Sequence, residues 1–430
     1  MAVMGTVAGL SAWRLRVCAL AMSLAGALTL PGVLAGCGLL AEQNGTSTPA
    51  AQSTTSATGT PAADPVTEPP ATAAPTPTPG KGLGCPVLRC TTVLVTGDML
   101  VHDELWHQAQ QDAAAAGKPG LDFVPLLEGQ RRYISNSDLA VCHQETPVAG
   151  PEGPFSTYPS FNVPPQIIAA AKEVGYQACT TASNHTIDRG TDGLLRTLDA
   201  LDAAGLKHTG SYRTENESAG ILILQTPAAK VALIQATYGL NGLVAEYPWQ
   251  VDMLDAPAMI AKAERARAQG ADIVLAAMHA GDEYSSAPNA QQLDVAHALA
   301  DSGQFNLIYG HHTHSVLPIE NYNGTWIVYG LGNGVTELSP TYTVNNEGLL
   351  VRAQFGQDES GKWSVTDLAW APSVIVSNPY RWCSVASDAP QGPCEGAGAD
   401  AETRQRTQSV VESMGAAAAG ARELLITREP

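Results

Sequence analysis

"FNLIYGHHTH", residues 305–314, joins a short apolar run to three closely spaced histidines. The apolar run is typical of a buried strand, and His311, His312 and His314 follow at its carboxyl end. A His-x-His pair on a strand or turn places both imidazoles on one side. We therefore interpret the cluster as metal ligands, with a surface histidine tract as the alternative.

Side chains of the types that bind metals also follow four other predicted strands. In an open α/β sheet the carboxyl ends of the strands line one crevice, where ligands bind. Mixed carboxylate, amide and imidazole donors suit Zn, Mn or Fe better than Ca or Mg. The residues at these four ends are Asp98 with His102, His143 with Glu145, Asn184 with His185, and His279.

The order of strands and helices predicts the α/β class. Apolar strand-like runs alternate with helical patterns for most of the chain from residue 91 onward. The more β-rich carboxyl-terminal part suggests two sheets packed together. We expect one domain over residues 85–376 and a C-terminal extension over residues 377–430, in which residues 405–427 form a helix.

The N-terminal residues resemble an export signal. Arg14 and Arg16 precede an apolar run, and the run ends in "VLAGC", residues 33–37, which resembles the lipobox of bacterial lipoproteins. We expect a signal peptide over 1–36 and lipidation of Cys37; a plain signal peptide or a short membrane anchor is the alternative. Residues 37–84 are rich in Pro, Thr and Ala and predict a disordered tether. The protein is expected on the extracytoplasmic face of the cell membrane.

Charge and motifs exclude two function classes. The formal net charge of −18 argues against nucleic acid as a partner. The chain contains no GxxxxGK[ST] phosphate-binding loop, so we do not expect an ATP-using ligase.

Six cysteines remain outside the predicted signal and lipobox, which suggests disulfides in an exported domain. Local loops are expected for Cys85 with Cys90 and for Cys383 with Cys394. The sequence leaves open whether Cys142 and Cys179 form a third bridge or remain buried thiols.

Taken together, the strand-end motifs resemble the CapA family of capsule-synthesis or poly-γ-glutamate biosynthesis proteins, whose core is similar to calcineurin-like metallophosphoesterases. The resemblance implies an α/β/β/α sandwich of two packed sheets flanked by helices, with two divalent metal ions. The chain departs from the family pattern at His143-Gln144, Ser183, Ala280 and Gly334, which alters the pocket wall. The matching stretches are "TGDMLVHDELW", "SDLAVCHQETPV", "TTASNHTIDRG", "MHAGDEY", "IYGHHTHSVLPIE" and "VYGLGN".

The resemblance also implies roles for individual residues. The implied metal ligands are Asp98, Glu145, Asn184, His279, His312 and His314, with Glu145 bridging the two ions. His185 would be the general acid or oxyanion stabiliser, and Asp188 would orient its turn. Because Gly310 is followed first by His311, that residue is an alternative to His312. Further candidates are His102, His143, His311 and Glu283, whereas His107, His208 and His297 are interpreted as structural residues without partners.

Three functional hypotheses follow. The first is a lipid-anchored, extracytoplasmic, metal-dependent hydrolase acting in capsule or poly-γ-glutamate-like polymer biosynthesis. The second is a non-catalytic accessory module that binds, exports or anchors an anionic cell-envelope polymer, alone or with its synthase complex. The third is a fold that retains a purely structural metal.

Overall fold

The computed structural model describes residues 84–338, 343–389 and 391–428. The predicted signal peptide, lipobox cysteine Cys37 and nearly all of the tether lie outside these residues. Among the helices that are described, none combines the length and apolar character needed to span a bilayer.

Strands and helices alternate along the described chain. The strands are β1 (Arg89–Met99), β2 (Leu139–Gln144), β3 (Ala178–Thr180), β4 (Lys207–Thr209), β5 (Leu222–Gln225), β6 (Lys230–Thr237), β7 (Ile273–His279), β8 (Leu307–His311), β9 (Ile319–Tyr322), β10 (Thr325–Val328), β11 (Asn333–Val335), β12 (Glu347–Gln357), β13 (Trp363–Val376), β14 (Arg381–Ser384) and β15 (Arg422–Glu423). The α-helices are α1 (Asp103–Ala115), α2 (Val124–Leu127), α3 (Arg131–Ser135), α4 (Gln166–Val174), α5 (Gly190–Ala204), α6 (Glu215–Ala219), α7 (Ala256–Ala268), α8 (Ala290–Asp301) and α9 (Ala397–Val411).

Two sheets contain these strands. The first has the order β14-β13-β12-β1-β2-β3-β4, with β11 beside β1 and β15 beside β13. The second has the order β5-β6-β7-β8-β10-β9. Strands β1 to β4 run parallel to one another, as do β6, β7, β8 and β10. Each sheet therefore has a parallel centre whose strand ends share one edge.

The two sheets pack face to face. Val93 and Val141 of the first sheet belong to one buried apolar cluster with Leu233, Leu275 and Leu307 of the second. Because side chains alternate along a strand, the neighbouring residues point to the opposite faces.

Helices cover those opposite faces. Leu94 and Cys142 of the first sheet pack with residues of α1, α4 and α5. Ile234, Ala276 and Ile308 of the second sheet pack with residues of α7 and α8. The result is an α/β/β/α sandwich, so the predicted α/β class with two packed, helix-flanked sheets is confirmed.

Two glycines set the backbone at the strand ends that carry the candidate ligands. A Cβ atom at Gly97 would collide with the backbone of residues 332–334, and one at Gly310 would collide with the backbone of Tyr329. Only glycine permits these close approaches. They bring β11 beside the end of β1 and the segment after β10 beside the end of β8, next to Asp98 and His311.

The segment after residue 376 is part of the first sheet. Strand β14 pairs with β13 in antiparallel register, and β15 pairs with β13 in parallel register. The predicted helix over 405–427 is wrong: α9 begins at Ala397 and ends at Val411. Gly415 has φ +84° and Gly420 has φ +105°, conformations that cannot continue a helix.

All six cysteines of the described chain are bridged. Cys85 pairs with Cys90 and Cys383 pairs with Cys394, as predicted. The question that the sequence left open is decided by register: Cys142 on β2 lies directly opposite Cys179 on the parallel strand β3, and the two form the third disulfide.

The bridge between β2 and β3 should contribute more stability than the N-terminal one. It closes a loop with a sequence separation of 37, against 5 for Cys85–Cys90. Loop-closure entropy then predicts a loss of about 4 kcal/mol for Cys142→Ala/Cys179→Ala and about 2 kcal/mol for Cys85→Ala/Cys90→Ala. Denaturant unfolding of both double variants measures the difference, and equal losses would contradict the prediction.

Candidate metal centre

The strand ends of both sheets bring the predicted ligands together in the interior. Asp98 is the last residue but one of β1, Glu145 follows β2, His279 ends β7, and His314 follows β8. The side chains of all four are at most 3% exposed. Such burial of carboxylates and imidazoles requires compensation by hydrogen bonds, ion pairs or metal ions.

Asp98 is the most heavily contacted of these residues. His311 Nδ1 donates to its Oδ1 at 2.7 Å, and the backbone N–H of His312 donates to its Oδ2 at 3.0 Å. His314 Nδ1 lies 3.3 Å from the same Oδ2. Burial alone would raise the pKa of Asp98, but the contacts with His311 and His314 outweigh it and hold the pKa well below its usual range. The carboxylate is therefore ionised.

Glu145 is buried without such compensation. Neither carboxylate oxygen has a hydrogen-bond partner among the described residues. The nearest imidazole nitrogens are His314 Nε2 at 3.7 Å and His279 Nε2 at 4.0 Å from Oε1. Burial raises the pKa of Glu145 well above its ordinary value. A buried acceptor with no partner is uncommon in folded proteins, and a bound cation would satisfy it.

The histidine turn after β8 contributes further donor atoms without partners. Neither Nε2 of His311 nor Nδ1 of His312 has a hydrogen bond to the described residues. His312 has φ +91° and His314 has φ +50°, left-handed conformations that are uncommon for residues other than glycine. Backbone strain of this kind is concentrated at functional sites. The turn thus holds imidazole nitrogens in the interior at a conformational cost.

The imidazoles differ in their tendency to hold a proton. Burial lowers the pKa of His314, but the carboxylates of Glu145 and Asp98 outweigh it and raise the pKa to about 9. Burial, together with His314, lowers the pKa of His312 to about 3. Burial likewise holds the pKa of His279 well below its ordinary value. His312 and His279 are therefore neutral, the protonation state that binds a metal.

Candidate ligand atoms form three compact groups, within each of which the atoms lie within 4.8 Å of one another. Asp98 belongs to two groups, so its carboxylate is placed to serve two ions, whereas Glu145, predicted from the resemblance to bridge, belongs to one. Glu283, in the third group, is exposed. The groups are Asp98 with His143 and His311, Asp98 with Glu145 and His314, and Glu283 with His312 and His314. Their mixed oxygen and nitrogen donors fit Zn, Mn or Fe.

His143 lies at the middle of the centre, although the sequence placed it only among the further candidates. Its Nε2 is 3.0 Å from His279 Nδ1, and its Nδ1 is 2.9 Å from Thr180 Oγ1. Its ring stacks on that of His311 with centroids 4.1 Å apart. Burial holds its pKa well below the ordinary value. The only hint of this role in the sequence was that the chain departs from the family pattern at His143-Gln144.

The predicted ligands Asn184 and His279 lie together at one side of the centre. Asn184 Oδ1 is 2.7 Å from His279 Nε2, and Asn184 Nδ2 donates to Asn241 Oδ1 at 3.2 Å. The two side chains are thus directed at each other, and His279 Nε2 also lies 4.0 Å from Glu145 Oε1.

The predicted pair His185 and Asp188 is joined directly. His185 Nδ1 donates to Asp188 Oδ2 at 2.8 Å, and the same oxygen accepts the backbone N–H of Phe161 at 2.8 Å. The ring of Phe161 also packs edge-on against His185, with centroids 4.8 Å apart. Asp188 therefore fixes the orientation of the imidazole itself as well as that of its turn.

His102 lies behind this pair. Its ring packs edge-on against Phe161 with centroids 5.5 Å apart, and its Nδ1 has no hydrogen-bond partner in the described part of the chain. Burial and the nearby His314 lower the pKa of His102 to about 4. It belongs to the wall of the centre and to none of the three ligand groups.

Three residues that contact the centre were not predicted from the sequence. Asn333 Oδ1 lies 3.1 Å from His314 Nδ1, Tyr238 packs over His312 with ring centroids 4.5 Å apart, and Asn241 contacts Asn184. Asn333 ends the stretch "VYGLGN", and the match of that stretch to the family was the only hint of its role in the sequence. Tyr238 and Asn241 lie on a loop after β6 whose position depends on the tertiary structure.

The three histidines interpreted as structural lie outside the ligand groups but do have partners. His107 Nδ1 lies 3.9 Å from Glu104, His208 Nε2 lies 3.4 Å from Asp202, and His297 Nε2 lies 2.9 Å from Glu320. The expectation that they lack partners is wrong, because each faces a carboxylate from the same helix or a neighbouring element.

Metal binding should stabilise the fold through Asp98. Adding Zn²⁺ or Mn²⁺ to the chelator-treated chain at about 100 times its Kd should raise the free energy of unfolding by about 2.7 kcal/mol. Asp98→Ala should lose most of this gain because Asp98 belongs to two ligand groups. His107→Ala, at an exposed histidine away from the centre, is the control. Denaturant titration with elemental analysis measures both, and equal metal stabilisation in the two variants would contradict the assignment.

The chain is similar in sequence to two CapA proteins of Bacillus. The chain is 29% identical over 203 residues to the PGA biosynthesis protein CapA of Bacillus subtilis (strain 168), covering 47% of this chain and 53% of that protein. It is 28% identical over 233 residues to the capsule biosynthesis protein CapA of Bacillus anthracis, covering 52% and 56%. The chain thus spans about half the length of these relatives.

The chain also aligns with solved structures at low identity. The calcineurin-like phosphoesterase YfkN from Bacillus subtilis aligns with a TM-score of 0.41 at 18% identity, covering 76% of this chain and 98% of that one. The 5'-nucleotidase precursor from Thermus thermophilus aligns with a TM-score of 0.39 at 12% identity, covering 74% and 58%.

The family comparison covers the centre as a whole. The profile described as "Bacterial capsule synthesis protein PGA_cap" matches residues 92–337, more than half of the chain. This stretch runs from the start of β1 to just beyond β11 and includes every residue of the three ligand groups. The chain therefore belongs to the bacterial capsule synthesis protein PGA_cap family.

Proposed function

We propose that this chain is a lipid-anchored, extracytoplasmic hydrolase that acts in the biosynthesis of a capsule or a poly-γ-glutamate-like polymer. The observation that carries the proposal is the buried carboxylate of Glu145, which has no hydrogen-bond partner among the described residues and lies beside Asp98 and His314. A carboxylate in that state, surrounded by metal-ligand side chains, fits a cation-binding centre better than a structural core.

The residues present would hold two divalent ions. One ion fits Asp98, His143 and His311, and the other fits Asp98, Glu145 and His314. Two such ions would lower the pKa of a bound water and polarise the bond under attack. His279, which lies beside Glu145, and Asn184, which contacts His279, would complete the shell of the second ion.

His185 is placed to deliver a proton. Its Nδ1 donates to Asp188, so a proton held on the opposite nitrogen, Nε2, is available to a leaving group. Asp188 is itself fixed by the backbone N–H of Phe161. The ring of Phe161 packs edge-on against that imidazole, and His102 packs on Phe161. In this mechanism the metal ligands lie at the ends of β1, β2 and β8, and the general acid lies after β3.

Several observations support the extracytoplasmic location. The three disulfides of the described chain suit an oxidising compartment. The stretch "VLAGC" ending at Cys37 fits a lipid-anchored protein. The names of the relatives refer to capsule and PGA biosynthesis, which supports an anionic cell-envelope polymer or its synthase complex as the partner. Nucleic acid is not proposed as a partner because the chain carries a net charge of −18.

The proposed acid gives a direct kinetic test. His185→Asn should lower kcat by about 10²–10⁴-fold because the leaving group departs unprotonated, while the metal content stays unchanged. Asp188→Asn should lower kcat by a smaller factor, because it disturbs only the orientation and charge of His185. The exposed His107→Asn is the matched control. Hydrolysis of a chromogenic phosphodiester and of a γ-glutamyl peptide, with and without chelator, provides the readout.

The same assay separates the hydrolase from the non-catalytic accessory module. Turnover that disappears with chelator and with His185→Asn supports the hydrolase. A fully metal-loaded chain that binds the polymer but turns over neither substrate would overturn the proposal and favour the accessory module. A chain that binds no metal would exclude the proposed mechanism.

A further inference from the structure

The loop between β6 and α7, residues 238–255, concentrates the exposed apolar side chains of the described chain. Among the described residues, five of the nine large apolar side chains that are exposed belong to this loop. A protein seldom gathers such side chains in one segment unless that segment binds a partner. The five are Tyr238, Leu243, Val244, Tyr247 and Met253.

The first part of the loop contacts the metal centre. The ring of Tyr238 packs on that of His312, with centroids 4.5 Å apart. Farther along the loop, Asn241 Oδ1 accepts a hydrogen bond from Asn184 Nδ2 at 3.2 Å. A partner bound by the residues that directly follow would therefore lie close to the centre.

The middle of the loop, residues 243–249, forms an exposed apolar tip. Val244 is 89% exposed and Leu243 is 47% exposed. Tyr247 is exposed as well, and its ring stacks on that of Trp249 with centroids 5.1 Å apart. The tip thus presents two aliphatic side chains beside a pair of aromatic rings.

Both ends of the loop are anchored, so the tip is a fixed feature of the fold. Leu240 and Val251 are buried in the apolar cluster that packs on the first sheet. Asp252 accepts hydrogen bonds from Lys262 Nζ at 2.7 Å and from Tyr212 Oη at 2.6 Å. A surface that is already ordered loses little conformational entropy when it binds.

Charge is nearly absent from the tip and the residues beside it. Residues 238–251 contain no Lys or Arg, and Glu246 is the only acidic residue among them. Thr191 Oγ1 of α5 donates to Glu246 Oε2 at 2.7 Å, which holds this carboxylate at the helix. An anionic polymer would find no cation on this surface. Aliphatic side chains next to Tyr and Trp suit instead the interfacial region of a lipid bilayer.

The proposed lipid anchor at Cys37 brings a bilayer within reach of the tip. A flexible linker of the length that separates Cys37 from Gly84, the first described residue, spans about 40 Å on average. Strand β1 begins at the sheet edge opposite the metal centre, so such a linker does not by itself turn the centre towards the membrane. A contact at the tip would supply that orientation, because the tip follows Tyr238 and Asn241 at the centre.

We propose that the tip inserts into the interfacial region of a lipid bilayer and thereby holds the metal centre at the membrane surface. Leu243 and Val244 enter the apolar layer, and the stacked rings of Tyr247 and Trp249 lie at the level of the headgroups. The centre then meets its substrate at the lipid surface rather than in free solution. The inference rests on the lipid anchor of the proposed function and adds a second contact between the domain and the membrane.

Photo-crosslinking at the tip tests the contact directly. The photoreactive residue p-benzoylphenylalanine replaces Val244 in the full chain, which is purified and reconstituted into phosphatidylcholine vesicles. After irradiation, mass spectrometry of the tip peptide should show a lipid adduct. The same residue in place of Glu359 is the control and should form no lipid adduct. Glu359 is exposed in the turn after β12, and that turn lies beside the start of β1, at the edge opposite the centre.

Two matched leucine variants test whether the contact is apolar. Leu243→Asp should lower the yield of the lipid adduct by about tenfold, because it removes an inserted side chain and adds a charge. Leu88→Asp should leave the yield unchanged, since Leu88 is 46% exposed but lies outside the tip. Because the tip has no cation, the yield should also persist in about 1 M salt and should not rise with phosphatidylglycerol in the vesicles.

Four outcomes would overturn the inference. They are a lipid adduct at position 244 no stronger than at position 359, a crosslinked dimer in place of the lipid adduct, an adduct that Leu243→Asp leaves unchanged, and an adduct that depends on anionic lipid. Mass spectrometry of the same sample reports separately whether Cys37 is lipidated. A lipidated chain without a tip adduct contradicts only this inference, whereas an unlipidated chain whose tip still forms the adduct contradicts only the proposed anchor.

Discussion

The burial of the Asp98 and Glu145 carboxylates in the interior is the constraint on which the rest of the centre depends. Water cannot solvate them there, so every neighbouring group is arranged around their charge. Asp98 is stabilised by His311, His314 and a backbone N–H, whereas Glu145 has no hydrogen-bond partner in the described chain. That asymmetry is what the proposed cation would resolve, with the histidine turn beside it as a set of candidate ligands.

The sandwich provides the rigidity that such an arrangement needs. The parallel strands of both sheets end at one edge, so five separate segments deliver their side chains to a small volume. Gly97 and Gly310 permit backbone approaches that any side chain would block, immediately before Asp98 and His311. The strained turn at His312 and His314 is tolerated because the sheet and Asn333 hold it from both sides.

The family core and the carboxyl-terminal segment make different contributions. The core carries every member of the three candidate ligand groups and the His185–Asp188 pair, to which we assign the proposed metal binding and proton delivery. The segment after residue 376 extends the first sheet with β14 and places α9 against the edge of the centre. Arg406 and Thr407 on that helix line a cavity together with Ser315 of the histidine turn.

The sequence by itself determined the α/β class and the positions of the strand ends, because apolar runs ending in Asp98, Glu145, His279 and His311 are local patterns. It also indicated two disulfides, because short loops constrain their partners. Only the tertiary structure decided the third disulfide, which depends on the register of β2 against β3. Likewise, the central position of His143, the sharing of Asp98 between two groups and the cavity at Thr407 arise from the packing of the two sheets and α9. Contacts between residues that are distant in the chain leave no periodic signal in it.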